Sequence, residues 1–208
     1  MATNYTVHFK NSTQKAYHFA IYQKYPDSPG LDSVAWQVRG LGPNAVNRVD
    51  WSLDYQVAIA NWDANGRQYS GIQMQPATMG QFYEVTTTES DIPVINVPPT
   101  QTDGPGLVKL QNNTNPAQAV TMGFAIGNML VAVEKDVQSG EVVEFSVHPQ
   151  YYVACYRAIK PGQLVSEGVE LGPVTLEFKN ECTDYTAEAR TVAGKIVLMD
   201  PVPTPIGS

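Results

Sequence analysis

The chain echoes itself, and that constrains its fold more than any other feature. Val7-His8-Phe9-Lys10-Asn11-Ser12-Thr13 has a counterpart in Val108-Lys109-Leu110-Gln111-Asn112-Asn113-Thr114, and His18–Tyr22 answers to Gly123–Gly127. Val34-Ala35-Trp36 parallels Val131-Ala132-Val133, Val49–Leu53 parallels Val143–Val147, and Tyr55–Ala58 parallels Tyr151–Ala154. Tyr83-Glu84-Val85 then matches Leu176-Glu177-Phe178, and Val94–Pro98 matches Val197–Pro201. The order is the same throughout, while the offset drifts between 93 and 105 residues. Loop insertions and deletions between two copies of one fold produce such drift. The expected organisation is therefore a unit over 1–98, a Pro/Gly-rich linker over 99–106, a homologous unit over 107–202 and a tail over 203–208.

Each half reads as strands. Tyr5, Val7 and Phe9 alternate with Thr6, His8 and Lys10, so one face of that strand is apolar and the other wet. Asn47–Asp54, Glu141–Val147 and Gly172–Lys179 follow the same rule of two. Turn chemistry separates the runs: Pro26-Asp27-Ser28-Pro29-Gly30, Gly40–Asn44, Ala64-Asn65-Gly66, Gln138-Ser139-Gly140 and Lys160-Pro161-Gly162. In the first half this places strands near 4–10, 17–24, 33–38, 46–53, 55–61, 68–75, 81–88 and 92–97. The nearest thing to a helix is Cys182–Arg190, with Ala187, Glu188 and Ala189, and it is short. The expected class is all-β, a tandem duplication of two antiparallel β-sandwich domains of about seven or eight strands each. Trp36, Trp51 and Phe145 are expected in the core.

Composition then excludes several functions. Only 16% of residues are charged, against about 25% in an ordinary domain, which argues against coiled coils and charge-driven disorder. The 13 Lys and Arg against 20 Asp and Glu give a net charge of −7. An acidic chain lacks the basic clusters that displace counterions, so no nucleic-acid partner is expected. Residues 1–5 carry neither a basic nor an apolar leader segment, so the protein is expected to be soluble and cytoplasmic, or released without a secretory leader. The apolar stretch Ala117–Val133 contains Gln118, Thr121 and a Gly127-Asn128 turn signal, so it reads as two strands and not as a membrane span. Asn4, Asn11 and Asn112 head Asn-x-Ser/Thr sequons but read as ordinary strand and turn residues.

Chemistry-bearing patterns are scarce. His8, His18 and His148 stand apart from one another and from carboxylate pairs, and Cys155 and Cys182 belong to no Cys-x-x-Cys, so neither a metal nor another cofactor is expected. Cys155, in an apolar run, reads as a buried thiol; whether it pairs with Cys182 stays open. There is no Gly-x-Ser-x-Gly, Gly-x-Gly-x-x-Gly or Walker pattern. Carboxylate pairs occur at Asp50/Asp54, Glu134/Asp136 and Glu167/Glu170, and strand charges of this kind ordinarily face water and discourage edge pairing. Asp63-Ala64-Asn65-Gly66 resembles the start of a calcium loop but lacks the downstream Glu, so a hairpin turn is expected there.

Aromatics are the remaining signal. Trp62 falls where a strand gives way to a turn, beside Asp63, Asn65 and Arg67, an arrangement that can stack a sugar ring or anchor a partner. Tyr22 and Tyr25, around Gln23-Lys24, form a second exposed-aromatic candidate. The leading expectation is a non-catalytic binding or self-assembling protein, with a protein or carbohydrate ligand and a possible homo-oligomer. Residues 5–13, a strand ending in Asn11-Ser12-Thr13, resemble the opening of small sandwich proteins such as the aegerolysin-type cytolysins, which are single sandwiches. A second reading is a membrane-active β protein, compatible with the missing leader, the aromatics and the low charge, with Thr86–Ser90 and Ala117–Val133 as the suspected inserting segments. A third is a sugar-acting hydrolase using Asp50 and Asp54.

Overall fold

The computed structural model describes residues 4–28, 30–96, 104, 106–146, 149–166, 168–179 and 182–204. Those residues form strands and turns, with no helix among them. In chain order the strands are β1 (Asn4–Ser12), β2 (Tyr17–Lys24), β3 (Asp32–Ser33), β4 (Gln37–Leu41), β5 (Val46–Ser52), β6 (Tyr55–Asp63), β7 (Gln68–Pro76), β8 (Phe82–Thr87) and β9 (Pro93–Asn96). They continue as β10 (Leu107–Asn112), β11 (Val120–Ile126), β12 (Met129–Val137), β13 (Val142–Ser146), β14 (Gln150–Tyr156), β15 (Val169–Leu176), β16 (Asp184–Val192), β17 (Lys195–Leu198) and β18 (Val202–Pro203).

Four sheets pair face to face. One sandwich sets β17-β16-β1-β5, with β18 beside β16, over β15-β14-β2-β4; Phe9 on β1 meets Phe19 on β2 at 5.3 Å between ring centres. The other sets β13-β10-β8-β9 over β3-β12-β11-β6-β7, and Phe124 stacks on Phe145 at 5.1 Å across the gap. The alternation seen in the sequence is what loads these cores. Val7, Phe9, Phe19, Ile21, Trp36, Val49 and Trp51 are buried in the first, and Val108, Leu110, Met122, Phe124, Val143 and Phe145 in the second.

The sheets do not follow a division at 99–106. Every one of the four takes strands from both sides of that segment, most of which lies outside the described residues. β1 pairs with β16, β2 with β14, β6 with β11 and β8 with β10. Apart from the short excursion of β3, the chain leaves the first sandwich between β5 and β6 and is back in it by β14, so a first-half strand repeatedly finds its neighbour in the second half. Two of these pairings, β1 with β16 and β8 with β10, are parallel, where only antiparallel neighbours were expected. A hairpin forces antiparallel neighbours, but strands far apart in sequence are free of that constraint.

The two halves nevertheless carry the same wiring. The order and directions of β17-β16-β1-β5 are those of β9-β8-β10-β13. After β1, the buried Asn11 donates through Nδ2 to the carbonyls of Lys15 (2.7 Å), Leu41 (3.3 Å) and Gly42 (2.9 Å), while its Oδ1 accepts from the Thr13 hydroxyl at 2.8 Å. After β10, the buried Asn112 donates to Gln118 (2.8 Å) and Val137 (2.8 Å), and its Oδ1 accepts from the Thr114 amide at 3.1 Å. Two sequons thus turn out to be sealed turns; neither Asn side chain is available at the surface.

The strand partners also correct the internal alignment. Val57 opposes Phe124 as Val153 opposes Ile21, so Phe124 corresponds to Ile21 and not to Phe19. Val7 opposes Val49 as Val108 opposes Phe145, again two residues from the expected match. A slip of two preserves which face is apolar, so hydrophobic pattern alone cannot detect it. Cys182–Arg190 contributes not a helix but most of β16, with Tyr185, Ala187 and Ala189 buried in alternation. Tertiary pairing overrides the helical preference of Ala and Glu there. Residues 33–38 are not one strand: buried Val34-Ala35-Trp36 bridges β3, which joins the second sandwich, to β4, which stays in the first. The Ala117–Val133 stretch lies in the β11–β12 hairpin around Gly127-Asn128, and no helix among the described residues is long and apolar enough to cross a membrane. Cys155 is buried and Cys182 half-buried, and both are free thiols.

Candidate functional site

Trp62 sits near the end of β6, past an irregularity in its pairing with β7 at Ile59/Ala60. Val57 and Ile59 face the core, but from Asn61 onward the strand emerges, leaving Trp62 38% exposed. Its neighbour across the hairpin is Tyr69, whose buried ring lies 4.7 Å away at an interplanar angle of 47°. The loop that closes this hairpin is a built turn. Asp63 Oδ1 accepts the Asn65 amide at 3.0 Å, and Arg67 adopts a left-handed φ of 49°.

A second loop, residues 157–166, clasps the hairpin from the side. Gln163 donates Nε2 to the Gly66 carbonyl at 3.0 Å, and the Tyr69 amide reaches the Gly162 carbonyl at 2.8 Å. Gly162 has φ of 83°, and a Cβ there would fall 2.1 Å from the Tyr69 carbonyl oxygen, so only glycine permits this approach. The result is a ridge with a cleft on each side. One, of about 290 Å³, is lined by Trp62, Arg67, Ile159, Gln163 and Leu164. The other, of about 330 Å³, is lined by Trp62, Tyr69, Thr121, Lys135 and Asp136. Lys135 pairs with Asp32 at 2.7 Å, and burial raises the Tyr69 phenol against the opposing pull of the Lys135 cation. Chemically, the ridge offers an indole face flanked by hydrogen-bonding and charged groups on both sides.

The structure therefore joins Trp62 and Arg67 in one cleft, while Asp63 and Asn65 are used in shaping the turn. Tyr22 and Tyr25 are not part of it and are not exposed. Tyr22 is buried, stacked on Tyr152 at 5.4 Å, and burial pushes its phenol up to about 12. Tyr25 is buried, donates to Gln23 Oε1, and meets Phe124 edge-on at 6.3 Å. The expected exposed pair is therefore corrected: Tyr22 lies within β2 with its ring covered, and Tyr25, just past the strand, packs into the core.

The carboxylate pairs are dispersed. Asp50 accepts from the Thr6 hydroxyl at 2.9 Å and pairs with Arg48 at 3.3 Å, while Asp54 accepts from Ser52. Burial raises the Glu134 carboxyl, Asp136 is exposed with φ of 52°, and Glu167 lies outside the described residues. His8 lies 3.2 Å from Asp184, His18 Nδ1 lies 3.1 Å from the Arg157 carbonyl, and His148 lies outside the described residues. No group of three His, Cys, Asp or Glu among the described residues could hold a metal ion.

A larger cleft, of about 500 Å³, escaped sequence reading altogether. It lies at the edge of the first sandwich and is lined by Tyr5, Gln150, Tyr151, Tyr152, Glu177 and Phe178, among others. Tyr5 on β1 and Tyr151 on β14 are far apart in the sequence, so no local pattern could have joined them.

No curated protein and no solved structure matches the chain. One family profile does: that of RhiA, over residues 2–197, and the chain belongs to the RhiA family.

Proposed function

We propose that this chain is a non-catalytic binding protein, derived by internal duplication, that holds its ligand against Trp62. The observation that carries the reading is the half-exposed indole standing between two clefts on a ridge fixed from both sides. Large exposed aromatics on rigid supports stack sugar rings or seat in a partner's pocket. The duplication is supported by the repeated strand order and by the matching Asn11 and Asn112 turns. Trp62 has no duplicate: residue 158, two past the end of β14, is Ala, so one ridge per chain is expected. Other copies of the ridge in a homo-oligomer would add avidity.

A glycan array and a pull-down with Trp62→Ala beside the parent chain test this. The ligand retained by the parent should be lost by the variant, with melting behaviour unchanged. Equal retention by both would remove Trp62 from the site. The membrane reading makes a harder demand, since the Ala117–Val133 segment supplies Met122, Phe124 and Ile126 to the core and its release would dismantle a sandwich.

A further inference from the structure

The cleft at the edge of the first sandwich has features that packing does not require. Tyr5, from β1, lies 4.7 Å from Phe178 at 60°, and Tyr151, from β14, lies 5.7 Å from Phe178 at 82°. Phe178 thus holds two tyrosines from different sheets at steep angles to itself, and Trp51 backs them, stacked on Tyr5 at 5.7 Å. All three of Tyr5, Tyr151 and Phe178 are only half-buried and line the cleft. Among the described residues, neither the Tyr5 nor the Tyr151 hydroxyl has a hydrogen-bond partner, although most partly buried phenols find one. Tyr55, the first residue of β6, lies close enough that burial and the hydroxyls of Tyr55 and Tyr5 together raise the Tyr151 phenol.

The rim is polar but uncharged overall. Gln150 accepts from the Tyr152 hydroxyl at 2.8 Å, and the one charged lining residue, Glu177, is matched by Lys179 at 2.5 Å. That neutrality disfavours both anions and bare cations. The cleft also continues: a second one of about 500 Å³ shares Thr175 and Glu177 with it and runs on past Lys179, Tyr185 and Asp200. Ring faces, unpartnered hydroxyls, the Glu177–Lys179 pair, the Asp200 carboxylate as a further acceptor and an elongated track match a hydroxyl-rich, uncharged chain better than they match an extended peptide, whose side chains would want apolar pockets.

We propose that this double cleft is a second binding site, distinct from the Trp62 ridge, for a neutral oligosaccharide whose leading sugar packs on Tyr5 and Tyr151 and whose following units run along Thr175 and Glu177. Such a shallow site should bind with a dissociation constant of about 0.1–1 mM. The test titrates the full chain with cellotetraose, chitotetraose and mannotetraose while following amide and aromatic NMR shifts. Phosphocholine, inorganic phosphate and a neutral tetrapeptide serve as competitors of other chemistry. At least one tetrasaccharide should give saturable shifts centred on Tyr5, Tyr151, Thr175 and Glu177. Tyr151→Phe, which keeps the ring, should weaken that binding roughly tenfold, and Glu177→Gln should weaken it without altering the melting temperature. The proposal is overturned if none of the sugars shifts these residues at about 10 mM, or if phosphocholine, phosphate or the peptide binds there more tightly. Sugar-induced shifts confined to Trp62 and its neighbours would also overturn it, while leaving the Trp62 reading standing.

Discussion

The two sandwiches share a strand order but not a way of being made. The second is drawn almost entirely from one stretch, residues 55–146, with only the two-residue β3 added from outside. The first is assembled from both ends of the chain: β1 pairs with β16 in a register that sets Val7 beside Tyr185 and Phe9 beside Ala187. Closing such a long loop costs entropy before any contact is gained. The second sandwich can therefore form early and locally, while the first waits for the last strands. Both proposed sites draw on that late-forming part: Tyr5 and Tyr151 come from β1 and β14, far apart in the sequence, and the loop that supports Trp62 follows β14.

The largest effect should follow from ending the chain after Lys179, which removes β16, β17 and β18. β1 then loses its parallel neighbour, and Tyr185, Ala187, Ala189 and Leu198 leave the core. Hydrogen exchange should show protection lost in β1, β2, β5 and β14 but kept in β10, β11 and β13. Uniform loss would break the contrast between early and late sandwiches. Next come the two buried asparagines. Asn11→Ala strands three carbonyls and Asn112→Ala two, so both should destabilise strongly, by about 2–5 kcal/mol, with Asn11 the worse. Thermal melts rank them, and a harmless Asn112→Ala would show that the two turns are not equivalent in weight.

Much of the fold was legible because alternation and turn residues are local signals. β2, β5, β6 and β7 fall within a residue or two of their expected bounds, and Trp36, Trp51 and Phe145 are core as expected. What could not be read is which strand lies beside which. The repeat announces two like units, but the same apolar faces fit a neighbour from either half, and nothing in Val7 or Phe9 names Tyr185 or Ala187 as partners. The site divided in the same way. Trp62 could be suspected from Asp63, Asn65 and Arg67 around it, whereas the buried Tyr22 and the cleft of Tyr5 and Tyr151 depend on long-range packing alone.

Smaller effects sharpen the picture of the supporting loops. Gly162→Ala should displace the 157–166 loop from Tyr69 at a cost of about 2 kcal/mol and change Trp62 fluorescence, because the added methyl meets a backbone carbonyl. Smallest is the acid response of the β1–β16 seam. The Ser12 hydroxyl, 2.5 Å from Glu188 Oε1, and then Lys10 at 3.1 Å, hold the Glu188 carboxyl below the ordinary range. A carboxyl lowered by folding stabilises above its unfolded value, and that contribution disappears as pH falls through the lowered folded value. Melting temperature should therefore drop with acidification, and Glu188→Gln should remove part of that slope.

The interleaving of the two halves is open to one direct measurement: place a protease site within residues 99–106, cut it under native conditions, and run size exclusion. Because every sheet holds strands from both sides of the cut, the fragments should stay together and elute where the uncut 22.7 kDa chain does, separating only in denaturant. Two folded fragments eluting apart, each at about half that mass, would contradict the interleaved fold and restore two independent sandwiches joined by a linker.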